Sequence, residues 1–170
     1  QFIQAELASR VGLIPELGLM DTSSLAKNLL PQPDLSFGIG GIAFFSLSAL
    51  TEEQIGYEGP DWNQSWLVLA RETACGDPIF IDQSQTSFSV YTATHGMGYW
   101  ETTPVADSWH QFLAALEFVR PYTRRREHPV GLEENPLTAE EQLALKVGLS
   151  NILGSPVPTF WDSLLAPYEP

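Results

Sequence analysis

The stretch WNQSWLVLARETACGDPIFID, residues 62–82, with SFSVYTATHGMGYW, residues 87–100, decides how this chain reads. Three short runs rich in β-branched and aromatic residues are separated by Gly76-Asp77-Pro78 and by a Gln/Ser/Thr cluster, the pattern of consecutive strands joined by turns. Strands are expected over 66–71, 78–82 and 88–93, with a fourth over 99–102. Connections this short favour antiparallel hairpins, since a parallel crossover needs a dozen or more residues. Gly76 supplies unusual backbone angles for the first turn, and Pro78 opens a strand where no N–H is needed. His95-Gly96-Met97-Gly98 reads as a glycine-assisted turn between the third and fourth strands.

Upstream, Gly38-Ile39-Gly40-Gly41 leads into an apolar strand over 42–47. A phosphate-cradling loop would follow a strand and open a helix; here the glycines precede a strand, so they read as a turn or bulge admitting close backbone packing. Thr51 and Gln54 have capping-box form and predict one helical turn. Phe2, Ile3, Leu7 and Val11 predict an amphipathic opening helix over 2–11, stopped by Gly12 and Pro15. Ser23 to Leu30 predicts a short helix closed by Pro31 and Pro33, within an otherwise indistinct 16–37.

Downstream, Trp109, Phe112, Leu113, Leu116 and Val119 follow helical spacing on one buried face. Ser108 and Gln111 form a second capping box, and Pro121 is expected to end the helix. Residues 122–137 read as a linker or loop. Thr138 and Glu141 form a third box, opening a helix over 139–153 that Gly154, Pro156 and Pro158 terminate. Phe160, Trp161, Leu164 and Leu165 predict a final amphipathic turn. The expectation is an α+β single domain over 1–170: a mainly antiparallel central sheet of about five to six strands packed by helices. Its core spans about 38–118, between an N-terminal helical segment, 1–37, and a C-terminal helical extension, 122–170.

Twenty-one acidic against eight basic residues give a net charge of −13 and a pI near 4.4. Such a field repels nucleic acid, because phosphate binding needs Lys and Arg to displace counterions, and it speeds encounter with a basic partner. It also serves solubility alone. Arg124-Arg125-Arg126 reads as a solvated loop or as partners for local acids. No apolar run approaches the ~20 residues needed to cross a bilayer. Gln1 to Gly12 has neither the basic start nor the apolar core of a secretory signal, and the single Cys75 fits a reducing compartment. Cytoplasmic residence is therefore the expectation.

Catalytic chemistry is hard to assemble. The strongest enzyme reading joins Cys75, His95 and a carboxylate, Asp77 or Asp82, because a thiolate nucleophile needs a base and an orienting group. Against it, Cys75 precedes a turn in a strand-rich region, where a small buried thiol is common, and no catalytic-cysteine sequence surrounds it. His95, His110 and His128 stand on separate elements, without the close ligand pairs of zinc sites. No metal, no cofactor and no catalytic residue is expected.

GGIAFFSLSAL (40–50), WLVLARETACGDPIFID (66–82), VYTATHGMG (90–98) with Trp100, and VADSWHQFLAAL (105–116) together resemble the SUKH superfamily. That group includes fungal regulators of cell-wall glucan synthesis and many bacterial toxin-immunity proteins. The resemblance covers about 38–118 and implies an α+β fold with a binding role and no catalysis. Trp66, Gly76 and Asp77 occupy matching positions, where they read as determinants of the fold. The implied function is an immunity protein that neutralises a basic, nuclease-type toxin by occlusion. A scaffold or regulatory module of cell-wall synthesis or signalling is the alternative, and a hydrolase using Cys75 and His95 a third.

One segment has the composition of a partner surface. Glu52, Glu53, Glu58 and Asp61 cluster beside Tyr57 and Trp62 in a loop-like region between the first two strands. Aromatic rings supply desolvated contact area and acids steer a basic protein. The same residues also read as a solvated acidic loop with Trp62 tucked onto the core.

Overall fold

The computed structural model describes residues 22–57, 59–96 and 98–166; the expected helix over 2–11 lies outside them. Helix α1 (Thr22–Leu29) buries Leu25, Ala26 and Leu29, as the 23–30 pattern predicts. A six-stranded antiparallel meander follows in chain order: β1 (Leu35–Phe37), β2 (Gly40–Phe44), β3 (Trp66–Glu72), β4 (Pro78–Asp82), β5 (Val90–Gly96) and β6 (Tyr99–Ala106). The short helix α2 (Leu50–Glu53) lies between β2 and β3. After the sheet come α3 (Trp109–Thr123), α4 (Pro129–Glu134), α5 (Ala139–Leu153) and α6 (Thr159–Leu164). The α+β class and the antiparallel sheet are as expected.

Several boundaries moved, each for a local reason. The glycines before the first expected strand belong to a hairpin: Gly38 turns with φ +62, Gly40 pairs with Phe37 and Gly41 with Ser36. A Cβ on Gly41 would run into the Leu35 carbonyl, so glycine here permits close strand approach. This hairpin creates β1, which the sequence pattern did not reveal. Phe88, expected in a strand, has φ +52, and β5 starts only at Val90. The β5–β6 hairpin is longer than expected, with Gly96 paired to Tyr99.

The Thr51 box does not form: α2 has Ala49 at its N-cap and no side-chain cap. Gln54 serves the sheet instead. Its amide donates to the Val68 carbonyl at 2.8 Å and accepts the Val68 N–H at 2.9 Å. This replaces a strand neighbour where β2 stops, since Phe45 is the last residue on that side to bond β3, at Leu69. The Ser108 hydroxyl caps α3 by accepting from the Gln111 N–H at 3.1 Å, while Gln111 returns its carbonyl to the Asp107 N–H. Pro121 lies inside α3 and does not end it. The bond it forgoes is to the carbonyl of exposed Glu117, on a face that solvent reaches.

The residues after 121 are part of the core. Trp161 of α6 is fully buried, and its indole N–H donates to the Val105 carbonyl of β6 at 2.9 Å. α5 packs on α3, with Leu145, Leu149 and Leu153 buried. Its Thr138–Glu141 capping box forms in full. Arg126, one of the three arginines expected in a solvated loop or on local acids, is 5% exposed. It pairs with Glu141 at 3.0 Å and donates to the Tyr122, Asn135 and Pro136 carbonyls, tying the end of α3 to the start of α5.

A bulge decides how the sheet divides its side chains. The β3–β4 register slips between Val68 and Ala70. Ala70 and Glu72 therefore face the helices with Ile79, while Trp66 and Val68 lie with Phe80 on the opposite face. Phe44 meets Trp109 and Phe112 on the helix side, at 6.3 and 6.2 Å between ring centroids.

Candidate functional site

The second face of the sheet carries a continuous aromatic cluster. Tyr57 and Trp62 reach it from the loop after α2, Trp66 from β3, Phe80 from β4, Tyr91 from β5 and Trp100 from β6. Tyr57 stacks on Trp62 with centroids 5.1 Å apart and an interplanar angle of 29°. Trp62 meets Trp66 and Phe80 at 5.0 Å each and Trp100 at 5.2 Å. Trp66 lies 4.7 Å from Phe80, which continues to Tyr91 at 5.9 Å. Phe80 is fully buried, whereas Tyr57, Trp62, Trp66, Tyr91 and Trp100 are half-buried. The helix that packs on β3 is the four-residue α2.

Local bonds hold the loop. The Tyr57 N–H donates to the Gln54 carbonyl at 3.1 Å, and the Trp62 N–H to the Gly59 carbonyl at 3.2 Å. The Asn63 side chain accepts from the Ser65 N–H and hydroxyl, both at 2.9 Å, an Asx turn that delivers Trp66 into β3. Beside it, buried Asp82 accepts from the Ser65 and Ser84 hydroxyls, the Ser84 N–H and the Gln85 amide. Burial alone would raise this carboxyl, but the Ser84, Ser65 and Gln85 bonds outweigh it and hold the group below its ordinary range.

The sequence-predicted residues separate into different roles. Trp62 sits on the core cluster, as its alternative reading has it, while keeping part of its ring at the surface. Glu52 and Asp61 are exposed. Glu53 is bound to Arg71 at 2.7 Å, and Arg71 also lies 5.0 Å from the Phe45 ring centroid, so Glu53 is not an unpaired steering charge. Glu58 lies outside the described residues. Burial raises the Tyr57 hydroxyl above its ordinary value; the Arg71 charge opposes this and Glu53 and Asp77 add to it. Trp66, Tyr91 and Trp100 complete the surface. Trp66 shares that face with Phe80 and Tyr91 through the β3–β4 and β4–β5 registers, and Trp100 through its pairing with β5, and these registers between strands are not announced by any single segment.

The residues of the nucleophile reading are distributed less favourably. Cys75 is exposed in the β3–β4 turn, where a buried thiol was the simpler expectation. Glu72 accepts the Ala74 and Cys75 N–H groups there and shapes the turn, leaving the thiol outside it. Asp82 stands at the opposite end of β4, held by hydroxyls. His95 pairs with Trp100 in the β5–β6 ladder, and His128 caps α4 by accepting the Val130 N–H. Among the described residues, no group of three His, Cys, Asp or Glu could hold a metal ion, and no helix is long and apolar enough to cross a membrane. Comparison with protein-family models, with curated proteins and with solved structures finds no match.

Proposed function

We propose that this chain is a non-enzymatic binding protein of immunity type, akin to the SUKH superfamily, acting in the cytoplasm on a basic, nuclease-type toxin domain by occlusion. The observation that carries the reading is the half-buried Tyr57–Trp62–Trp66–Trp100 surface, with exposed Glu52 and Asp61 beside it on a chain of −13. Rings that are partly desolvated and already stacked lose little side-chain freedom on docking, which favours affinity. Tryptophan and tyrosine are also the residues that most often dominate binding energy. The acids act earlier, by accelerating encounter with a cationic surface.

The reading is tested with the protein domain encoded beside this chain's gene. A one-to-one complex that weakens with salt and silences the domain's nuclease activity is expected. Trp62→Ala should abolish protection, and Glu52→Lys with Asp61→Lys should slow association. Failure to form a complex, or full protection by the Trp62→Ala protein, would refute the reading.

A further inference from the structure

On the helix side of the sheet, a cavity of about 510 Å³ opens between α6, the β1–β2 hairpin and the β3–β4 turn. Small-molecule sites occupy roughly 300–1,000 Å³ and combine apolar walls with a few convergent polar groups. Here Phe37, Leu132, Phe160 and Leu164 supply apolar wall, and Thr92, Thr94 and Thr103 line the sheet. Glu72 and Asp77 stand at the turn. Among the described residues, no Lys, Arg or His contributes to the lining.

One buried polar group in it is left without a partner, and a part-buried carboxylate stands beside it. Thr92 is 8% exposed, and its hydroxyl makes no hydrogen bond. A buried hydroxyl in that state has given up its bonds to water without replacement, which destabilises the fold. The Asp77 carboxylate is half-buried and makes no hydrogen bond among the described residues; burial first, and Glu72 second, push it above its ordinary value. Gly40 keeps the cavity open beside them. A Cβ there would lie 3.4 Å from Leu164 Cδ1, 3.5 Å from the Leu164 carbonyl and 3.8 Å from Glu72 Oε1. An apolar wall, a carbonyl and a carboxylate thus surround one side-chain-free position.

From this geometry we infer that the cavity is a binding site for a small organic cation with an apolar body, an alkyl- or arylammonium. The apolar walls take the body, and the ammonium donates to Asp77, Glu72 and the threonine hydroxyls. An anion would meet two carboxylates and no positive charge. A neutral apolar ligand would leave Asp77 and Thr92 as they are, and among the described residues the lining has no three-ligand set for a metal. The site is independent of what docks on the opposite face of the sheet.

The test is titration of the full chain with n-hexylammonium, hexanol and hexanoate, followed by amide NMR shifts and calorimetry. Saturable shifts at Thr92, Thr94 and Thr103 are expected with hexylammonium, and binding tighter than that of hexanol or hexanoate by about tenfold or more. Asp77→Asn should weaken hexylammonium binding about tenfold. Thr92→Val should weaken it several-fold while raising the melting temperature, because the isosteric change removes the unpartnered hydroxyl. A purely structural threonine would not couple those two effects. Equal binding of hexanoate, absence of saturable shifts at the three threonines, or unchanged affinity in a folded Asp77→Asn protein would overturn the inference.

Discussion

The two faces of the sheet are both apolar, yet they are closed in different ways. On one, α3 and α6 lay down Trp109, Phe112 and Trp161, each at most 7% exposed. On the other, a loop of about a dozen residues after α2 lays down Tyr57 and Trp62, which stay half-buried. Helices satisfy their own backbone groups, so they can cover a sheet without help. A loop cannot, and this one depends on Gln54 pairing with Val68 and on a few turn bonds. Its local stability should therefore be lower than that of the helix face. The same economy leaves the rings available to a partner.

Substitutions on the two faces put this contrast to the test. The largest effect is expected on the helix face, where Phe112→Ala should cost about 3–5 kcal/mol in denaturant unfolding. A loss below 1 kcal/mol, the size of a surface change, would place that helix face in solvent. On the loop face, Trp62→Ala should cost about 2 kcal/mol, since the ring is only half-buried. Hydrogen exchange should then speed up over 54–65 while β3 and β4 stay protected. Equal acceleration throughout the sheet would show that the two faces unfold together. Gln54→Ala should cost about 1–3 kcal/mol by leaving the Val68 N–H and carbonyl unmet, again with exchange loosened first in the loop.

Two carboxylates extend the comparison to pH. Asp82 is held below its ordinary value, 3.8, so its contribution is present above that pH and is lost as the pH falls through its lower folded value. Asp82→Asn should destabilise the protein at pH 7 and have much less effect in strong acid. Asp77, on the helix side, is raised above 3.8. Its ionisation opposes folding, and stability is gained as the pH falls from above its folded value towards 3.8. Asp77→Asn should raise the melting temperature at pH 7 and leave it unchanged below 3.8. The same sign for both variants at pH 7 would contradict the assigned environments. The smallest effect on the fold is expected for Glu52→Lys with Asp61→Lys, within about 0.5 kcal/mol per position. Their consequence should appear only in association rate and its salt dependence.

Strand alternation and capping chemistry are written locally, and where they act locally they were legible. β3 and β4 start where the Trp66 and Pro78 signals place them, and Thr138 with Glu141 opens α5 at Ala139. The same logic failed at Thr51 and Gln54, where a tertiary partner displaced the local pattern, and at Phe88, which a turn holds at positive φ with its N–H on the Gln85 carbonyl. Gln54 stays on its own helix, donating to the Leu50 carbonyl, but spends the rest of its amide on the edge of β3, across 14 residues of sequence. The candidate site shows the same limit: Tyr57, Glu58, Asp61 and Trp62 stand out as a cluster in sequence, but Trp66 and Trp100 join them only through folding.

What this chain determines by itself is its class. Short apolar runs of period two, turn residues between them and helical spacing from Trp109 onward specify an antiparallel sheet with helices, whatever the chain later binds. Tertiary structure alone decided which side chains share a surface. The slip between Val68 and Ala70 sends Trp66 to one face and Glu72 to the other, although both occupy even-numbered positions of one strand. It likewise brought Asp77, Thr92 and Gly40 around one cavity. A bulge costs and gains energy through both of its strands, and a cavity is what several elements leave unfilled. Neither quantity belongs to any single segment of the sequence, so neither can be read from one.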